Sequence, residues 1–506
     1  MKTWISALQR KGRSVLFQSY VLQGYMDSHY QESLCVSRGV SHHHYIDGWV
    51  MLESAEFGAF KSELGKKLKN EVYIDFFIAH CKLVSEELFD LGNQLFKKTF
   101  DDASLSSLLS EFMNLTSRTV RVIPFLTTLA VIQKDIENQL SEALSKVFDL
   151  PFDSEELKSI IQDLMLKNEK MTHVTQSIKD LRELIDYVSE HESLTYNGLK
   201  ERFSENCKNI TPSLSKELLR KMNAYLEEYD FLPTDYYVGT PTTINQLLDQ
   251  MAVFICNKNS QKTEQSPLLS YDELLLGDFE SKLLSKVQDM HFIRQHRIEA
   301  LFKSGRQARG LLTEIGQRLG LTYEETIYMT YNEIVESLIA SELSIDYSII
   351  ADRMIDYGLV MEDRVIKYIT SEELTNAKSK LPVKVESSNK LTGETAYNGK
   401  CSGEAYVVDD LVNIEGMRHG NILVAPMTSP YHVSAMMIAD AVLTNEGGIL
   451  SHAAIICREL KIPCIVGLKN ATTIIKSGDN LSVNAESSVG IVEILDSTPE
   501  NWQSKN

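Results

Sequence analysis

One stretch of the chain, Ala441 to Gly467 (AVLTNEGGILSHAAIICRELKIPCIVG), has residue types and spacing that can do chemistry. An apolar, strand-forming run ends at Thr444, the pair Gly447-Gly448 follows, and a helix-forming run opens at Ser451-His452. The first turn of a helix has unpaired backbone N–H groups and a partial positive charge, so it attracts anions. Paired glycines let the backbone fold close to a phosphate and can form a nest of N–H donors. A histidine here is a candidate phosphoryl carrier. The local positive potential disfavours imidazolium and leaves a neutral ring nitrogen able to attack phosphorus. Taken residue by residue the signal is modest, because a lone histidine at a helix start is most often a cap or a solvated side chain.

The string as a whole is more specific. It closely resembles the phosphohistidine signature of the swivelling domain in enzymes that use phosphoenolpyruvate, a group that includes pyruvate phosphate dikinase, phosphoenolpyruvate synthase and rifampicin phosphotransferase. The shared pattern is a strand ending in Thr, an acid, Gly-Gly, two residues, Ser or Cys, His, Ala-Ala, an aliphatic run, Arg-Glu-Leu, Ile-Pro and Val-Gly, and nearly all of it stands here. The likeness runs outward from Gly393, Gly399 and Gly403 through Val424-Ala425-Pro426-Met427-Thr428-Ser429-Pro430 to a closing strand at Ile494. The resemblance implies that His452 is the phosphohistidine. It places Thr444, Glu446, Gly447, Gly448, Ser451, Arg458 and Thr428 around the phosphate, with Ser451 as a hydroxyl donor.

Three positions depart from the pattern. Asn445 stands where the family often has an acid, with Glu446 beside it. Leu450 replaces the threonine that is the regulatory phosphorylation site of plant dikinases, so regulation of that kind is not expected. Met427 occupies a position where several members carry arginine. Arg458, six residues beyond the histidine, has two readings of equal weight: it holds phosphate or pairs with Glu459 or Glu446, or it is a surface arginine. Cys457 and Cys464 fall at apolar positions and read as core residues.

These residues need elements to hold them. From about Lys384 the texture is that of a small α/β domain, with short β-rich runs at 405–408, 422–425, 441–444, 464–466 and 490–494 and helices at 434–440 and 451–460. Everything before it is rich in Leu, Glu, Lys and Ser, poor in Gly, and reads as almost entirely α-helical. Leu312, Ile315 and Leu319 recur at steps of three and four, which sets them on one helix face. Gly320 reads as the residue after that helix. Thr322 to Glu325, Thr330 to Glu333 and Thr370 to Glu373 each have the form of a capping box. Loops are expected over 258–267 and 229–241. The expected architecture is therefore multi-domain: a large all-α domain over residues 1–383, with two lobes as an option, a charged linker over 384–390, a swivelling phosphohistidine domain over 391–496, and a tail over 497–506.

Bulk properties narrow the function classes. The 506 residues exceed what one core can organise. A formal net charge of -19 argues against a general nucleic-acid binder. No apolar run is long enough to span a membrane, and Met1 to Ser6 lacks the apolar stretch of a signal peptide. Seven scattered cysteines without a CxxC pair indicate neither a disulfide framework nor a zinc site. A cytoplasmic location is expected.

In the family, the carrier histidine shuttles between an ATP-grasp site that loads it and a second site that unloads it. The helical region shows no glycine-rich phosphate loop and no strand-rich stretch resembling an ATP-grasp domain. It has a likeness to the acceptor-binding domain of rifampicin phosphotransferase, chiefly over Leu311 to Arg353. The expectation is therefore a phosphotransferase component. ATP and Mg²⁺ would be bound by an ATP-grasp partner in trans, with no cofactor on this chain, and a small-molecule acceptor would sit in the helical domain. Two alternatives stand beside it: a regulatory phosphocarrier, and a condensing enzyme that activates a carboxylate by phosphorylation. The locally basic run around Arg294, His296 and Arg297, followed by Lys303, Arg306 and Arg309, is either an acceptor wall or, by the odds, a solvated helix face. His42-His43-His44 tempts a metal reading, but adjacent residues point in different directions, and no metal site is expected.

Overall fold

The computed structural model describes residues 4–9, 14–24, 34–35, 43–46, 49–152, 154–166, 170–192, 195, 197–199, 214–234, 236–257, 276–362, 365–379, 389–408, 416–429, 432–448 and 451–495. The chain forms two compact units that do not follow chain order. One gathers residues 1–176, 234–241 and 265–382; the other gathers 177–233, 242–264 and 383–506. Most of the expected linker (384–388), Ile449, Leu450, the tail after 495 and the loop at 258–267 lie outside the described residues.

The first unit is organised by the long helix Asp278–Gln307, which packs along Glu71–Phe96 and Pro124–Phe148. Helix Glu71–Phe96 shows why it forms. Asn70 accepts the Val72 N–H as its N-cap, and Ile74, Phe77, Cys81, Val84, Leu88, Leu91 and Leu95 are buried at steps of three and four. At its C-terminal end Asp278–Gln307 buries His291, His296, Arg297, Glu299 and Lys303. The solvated face expected for this basic run is not what forms. Arg297 donates to the carbonyls of Phe125 (3.1 Å) and Leu126 (3.3 Å), His291 meets Glu137 at 2.9 Å, and Arg306 and Arg309 lie over the rings of Phe96 and Tyr323. The cations hold helices together.

The expectation of an all-α region before residue 383 needs correction. Five strands, β1 (Trp4–Gln9), β2 (His43–Ile46), β3 (Trp49–Glu53), β4 (Gly358–Glu362) and β5 (Val365–Ile369), form an antiparallel sheet in the order β1-β3-β2-β4-β5. They are four to six residues long, and β2 and β4 pair across more than 300 positions of sequence (Tyr45 opposite Leu359), so no local pattern announces the sheet. His43 and His44 are ladder residues of β2.

The helix ends follow the sequence more closely. Leu312, Ile315 and Leu319 are buried, and Gly320 follows the C-cap with φ +75°. The capping boxes Thr322–Glu325 and Thr330–Glu333 both form. The third does not, because Ser371 adopts φ +51° and Glu373 turns to Lys367 at 2.6 Å. Glu333 does double duty: it closes its capping box and takes both ends of the buried Arg353 guanidinium, at 2.8 and 3.0 Å, with Arg353 stacked over Tyr368. The short elements that resemble an acceptor domain thus meet in a structural brace.

The second unit contains a closed seven-stranded barrel. Its strands are β6 (Lys390–Tyr397), β7 (Lys400–Val407), β8 (Ile422–Ala425), β9 (Ala441–Thr444), β10 (Cys464–Val466), β11 (Asn480–Asn484) and β12 (Val489–Leu495), in the order β10-β6-β12-β11-β7-β8-β9. The four pairings from β10 through β6, β12 and β11 to β7 are antiparallel; β7-β8, β8-β9 and β9-β10 are parallel. Every residue of β8, β9 and β10 is buried, as expected for parallel strands covered on both faces. Leu391, Ile422, Val424, Leu443, Ile465, Leu481, Val483 and Val492 share one core cluster. Helices Lys216–Tyr229 and Ile244–Asn257 belong to the same unit, and the second packs on Val433–Ile438.

Burial by itself would raise the Glu333 carboxyl, but the Arg353 guanidinium and the Thr330 N–H outweigh it and hold its pKa below the usual value. A lowered carboxyl pKa stabilises the fold above the unfolded value and loses that effect as pH falls through the folded one. Glu333→Gln should therefore cost about 3 kcal/mol at neutral pH, the scale for breaking a buried pair. In chemical denaturation the gap from wild type should shrink as pH falls below about 4. A gap independent of pH would contradict the brace.

Candidate functional site

The parallel pairing of β8, β9 and β10 puts their carboxyl ends on one rim of the barrel, and the loops that leave those ends are laced together. Asn445 and Glu446 donate backbone N–H groups to the carbonyls of Ala425 (3.1 Å) and Pro426 (3.0 Å). Leu468 and Lys469 donate to Thr444 (3.0 Å) and Asn445 (2.8 Å). Carboxyl ends of parallel strands are where α/β folds commonly place ligands.

Helix His452–Leu460 starts on this rim. Ser451 is its N-cap, with extended backbone and a side-chain oxygen that accepts the Ala454 N–H at 3.4 Å, which leaves its own hydroxyl proton to donate. His452 is the first helical residue, and its Nε2 is buried. Gly447 has φ +116°, and a Cβ there would come within 3.1 Å of the Ser451 side chain, so the turn into the helix requires glycine. At Gly448 the nearest atom to an added Cβ would be Glu394 Oε2, at 3.6 Å.

The decisive contact joins two loops 24 residues apart: Thr428 Oγ1 lies 2.9 Å from His452 Nδ1. Thr428 is buried, and Ser429 next to it is fixed by its N–H and hydroxyl on His432 Nδ1, both at 3.1 Å. When the ring is neutral and Nδ1–H donates to Thr428, Nε2 carries the lone pair. In that tautomer the arrangement can present a nitrogen nucleophile at a helix start.

The structure gathers Thr428, Thr444, Glu446, Gly447, Gly448, Ser451 and His452 on this rim. Thr444 Oγ1 donates to the Glu446 carbonyl at 2.7 Å and shapes the turn. Arg458 uses Nε on the Ala396 carbonyl of β6, at 3.2 Å. Asn445 is buried and faces Thr472: its amide donates to Thr472 Oγ1 (2.7 Å) and accepts the Thr472 N–H (3.0 Å). The departure from an acid at this position therefore serves a loop latch. Met427 lies half-buried in the turn after β8. Burial, then the neighbouring Cys464, push the Cys457 thiol well above its ordinary value, as suits a packed core residue. Sequence reasoning missed Glu394 and His432; neither stands in a recognisable motif, and only strand pairing and the loop turn bring them to the rim.

Arg294, His296 and Arg297 lie in the first unit on helix Asp278–Gln307. Arg297 is committed to backbone carbonyls, and burial lowers the pKa of both Arg294 and His296. Arg297 Nη1 also donates to the Arg294 carbonyl.

Comparison with known proteins agrees with this geometry. Residues 417–488 match the family of the mobile domain of PEP-utilising enzymes. The chain is 32% identical over 190 residues to a probable phosphoenolpyruvate synthase of Pyrococcus horikoshii, covering 36% of this chain and 23% of that one. An uncharacterised phosphotransferase of Bacillus subtilis, YvkC, is 29% identical over 209 residues, 39% of this chain and 24% of that one. The phosphoenolpyruvate synthase of Aquifex aeolicus is 45% identical over 92 residues, 18% of this chain and 11% of that one. This chain spans no more than about a quarter of the length of these relatives. A solution structure of Enzyme I overlaps 64% of this chain and 81% of its own with a TM-score of 0.16 at 15% identity, which bears no argument. The stretch that matches the mobile domain of PEP-utilising enzymes is the part of the barrel that carries His452.

Proposed function

We propose that His452 carries a phosphoryl group from an ATP-grasp protein on another chain, loaded with ATP and Mg²⁺, to a small-molecule acceptor bound by the helical first unit. The observation that supports this reading best is the Thr428–His452 hydrogen bond. In the loading step Nε2 attacks the phosphorus in line, an N–P bond forms, and the P–O bond to the leaving nucleotide breaks. The imidazole gains positive charge as Nε2 bonds, and Thr428 Oγ1, accepting Nδ1–H, stabilises it. In the second step an acceptor oxygen attacks, the N–P bond breaks, the electron pair returns to Nε2 and the acceptor proton leaves to solvent. The protein's contribution to both steps is positioning and charge compensation.

One histidine can be in line with two distant oxygens only if its domain moves. Within the second unit, Arg182 donates to the carbonyl of Glu459 at the end of the His452 helix (2.7 Å) and pairs with the Glu459 carboxylate at 3.6 Å. Both side chains are about two-fifths exposed, so the pair contributes less than about 1 kcal/mol. A contact that weak suits a carrier that has to release.

Incubation with the ATP-grasp partner and labelled ATP should place an acid-labile, base-stable phosphate on the chain. His452→Ala should abolish it; label that persists in this variant sinks the proposal. Onward transfer to a small molecule rather than to protein distinguishes an enzyme component from a regulatory carrier. Thr428→Val removes a hydrogen bond to a charged group, about 1.5–3 kcal/mol, and should slow loading roughly ten- to hundredfold. Equal rates in a single-turnover assay would show that Nδ1 is held by something else. Arg182→Ala should speed amide exchange in His452–Leu460 while leaving the barrel strands unchanged.

A further inference from the structure

Helix Asp278–Gln307 carries a second group of chemistry-bearing side chains in the first unit, outside the phosphohistidine rim. His296 and Glu299 stand one turn apart on it, and His173 opens helix His173–His191 against them. One ligating atom from each of the three lies within 4.8 Å of the others. Glu299 is completely buried, and its two oxygens accept the N–H groups of His173 (2.9 Å) and Val174 (3.1 Å), the His173 ring at Nδ1 (3.1 Å) and the Gln295 amide (3.2 Å). The carboxylate is thus anchored and aimed.

Helix capping accounts for Glu299 and His173 but not for His296. That side chain is 9% exposed, and its Nε2 is buried with no hydrogen-bond partner among the described residues. Buried polar atoms are nearly always satisfied, so one that is not calls for an explanation, and an unseen ion is one. The ring is already held in place for that role: Phe292 stacks on it at 4.9 Å, and Phe89 contacts both His296 and His173 at 5.0 Å.

We infer that His173, His296 and Glu299 form a binding site for a divalent transition metal, with zinc the best-matched ion and a fourth position open to water. Two imidazoles and one carboxylate are a donor set of borderline softness that zinc accepts in three-ligand sites with an open position. Tetrahedral zinc at about 2.1 Å from each ligand needs donors about 3.4 Å apart, so side-chain rotation must draw the group in by roughly 1 Å. His173, with 23% of its side chain exposed, supplies the entry path. Lys82 lies close enough to oppose a cation but is paired with Glu86 at 3.7 Å.

The full chain, stripped with chelator and titrated with zinc alone by calorimetry, should bind one equivalent. Cobalt loaded in its place should give the intense visible bands of a four-coordinate site. His296→Gln should weaken zinc at least a hundredfold with the circular dichroism spectrum unchanged. His173→Gln, at a partly exposed position, should do the same and guards against loss of fold at His296. His419→Ala should leave binding intact. No stoichiometric zinc, or stoichiometric zinc indifferent to both His173→Gln and His296→Gln, overturns the assignment; the second result would move the ion to other histidines, such as His42 to His44.

Discussion

The hydrogen bond between Thr428 and His452 is the contact on which the functional geometry rests, and it exists only because the barrel closes the way it does. Neither residue belongs to a regular strand. Thr428 sits beyond β8, and His452 lies beyond β9 at the start of its helix. Parallel pairing of β8, β9 and β10 sets both loops on one rim, and the N–H groups of Asn445 and Glu446 tie one to the other. Register matters here: a one-residue slip between β8 and β9 would carry the threonine away from the ring. The ladder that pairs Ala425 with Thr444 fixes both loop starts, so backbone pairing sets the position of a side-chain contact.

Polar groups in the interior follow a consistent rule elsewhere. Arg297 is spent on carbonyls, Arg353 on Glu333, Asn445 on Thr472, and Glu299 on the start of a helix. Each buried group meets a partner of matching shape, as the cost of an unmet donor or acceptor requires. His296 Nε2 is among the buried atoms that meet no such partner within the described residues, and it stands one turn from a fully buried carboxylate.

Much of the rim was legible in the sequence because its parts are local. Strand, glycine turn, cap and histidine fall within about ten residues, and each has its own physical signature. Capping boxes at Thr322 and Thr330 were legible for the same reason. What was hidden depends on distant pairing. The five-stranded sheet joins the two ends of the first unit, although Asp47-Gly48 between two apolar runs was a hairpin signal within reach. The basic run at 291–309 looked amphipathic because charge pattern says nothing about which carbonyls and rings surround a helix. Glu394 reaches the rim only through the pairing of β6 with β10, and His173 meets His296 across 123 positions, beyond any motif.

The central claim is that Nε2 of His452, whose ring is held at Nδ1 by Thr428, is the phosphoryl-bearing atom. Phosphorus–proton and phosphorus–nitrogen couplings in the NMR spectrum of the phosphorylated, ¹⁵N-labelled chain report which nitrogen is bonded. The account predicts a single phosphohistidine, bonded at Nε2 of His452. Phosphorus at Nδ1, or on any other residue, would contradict it.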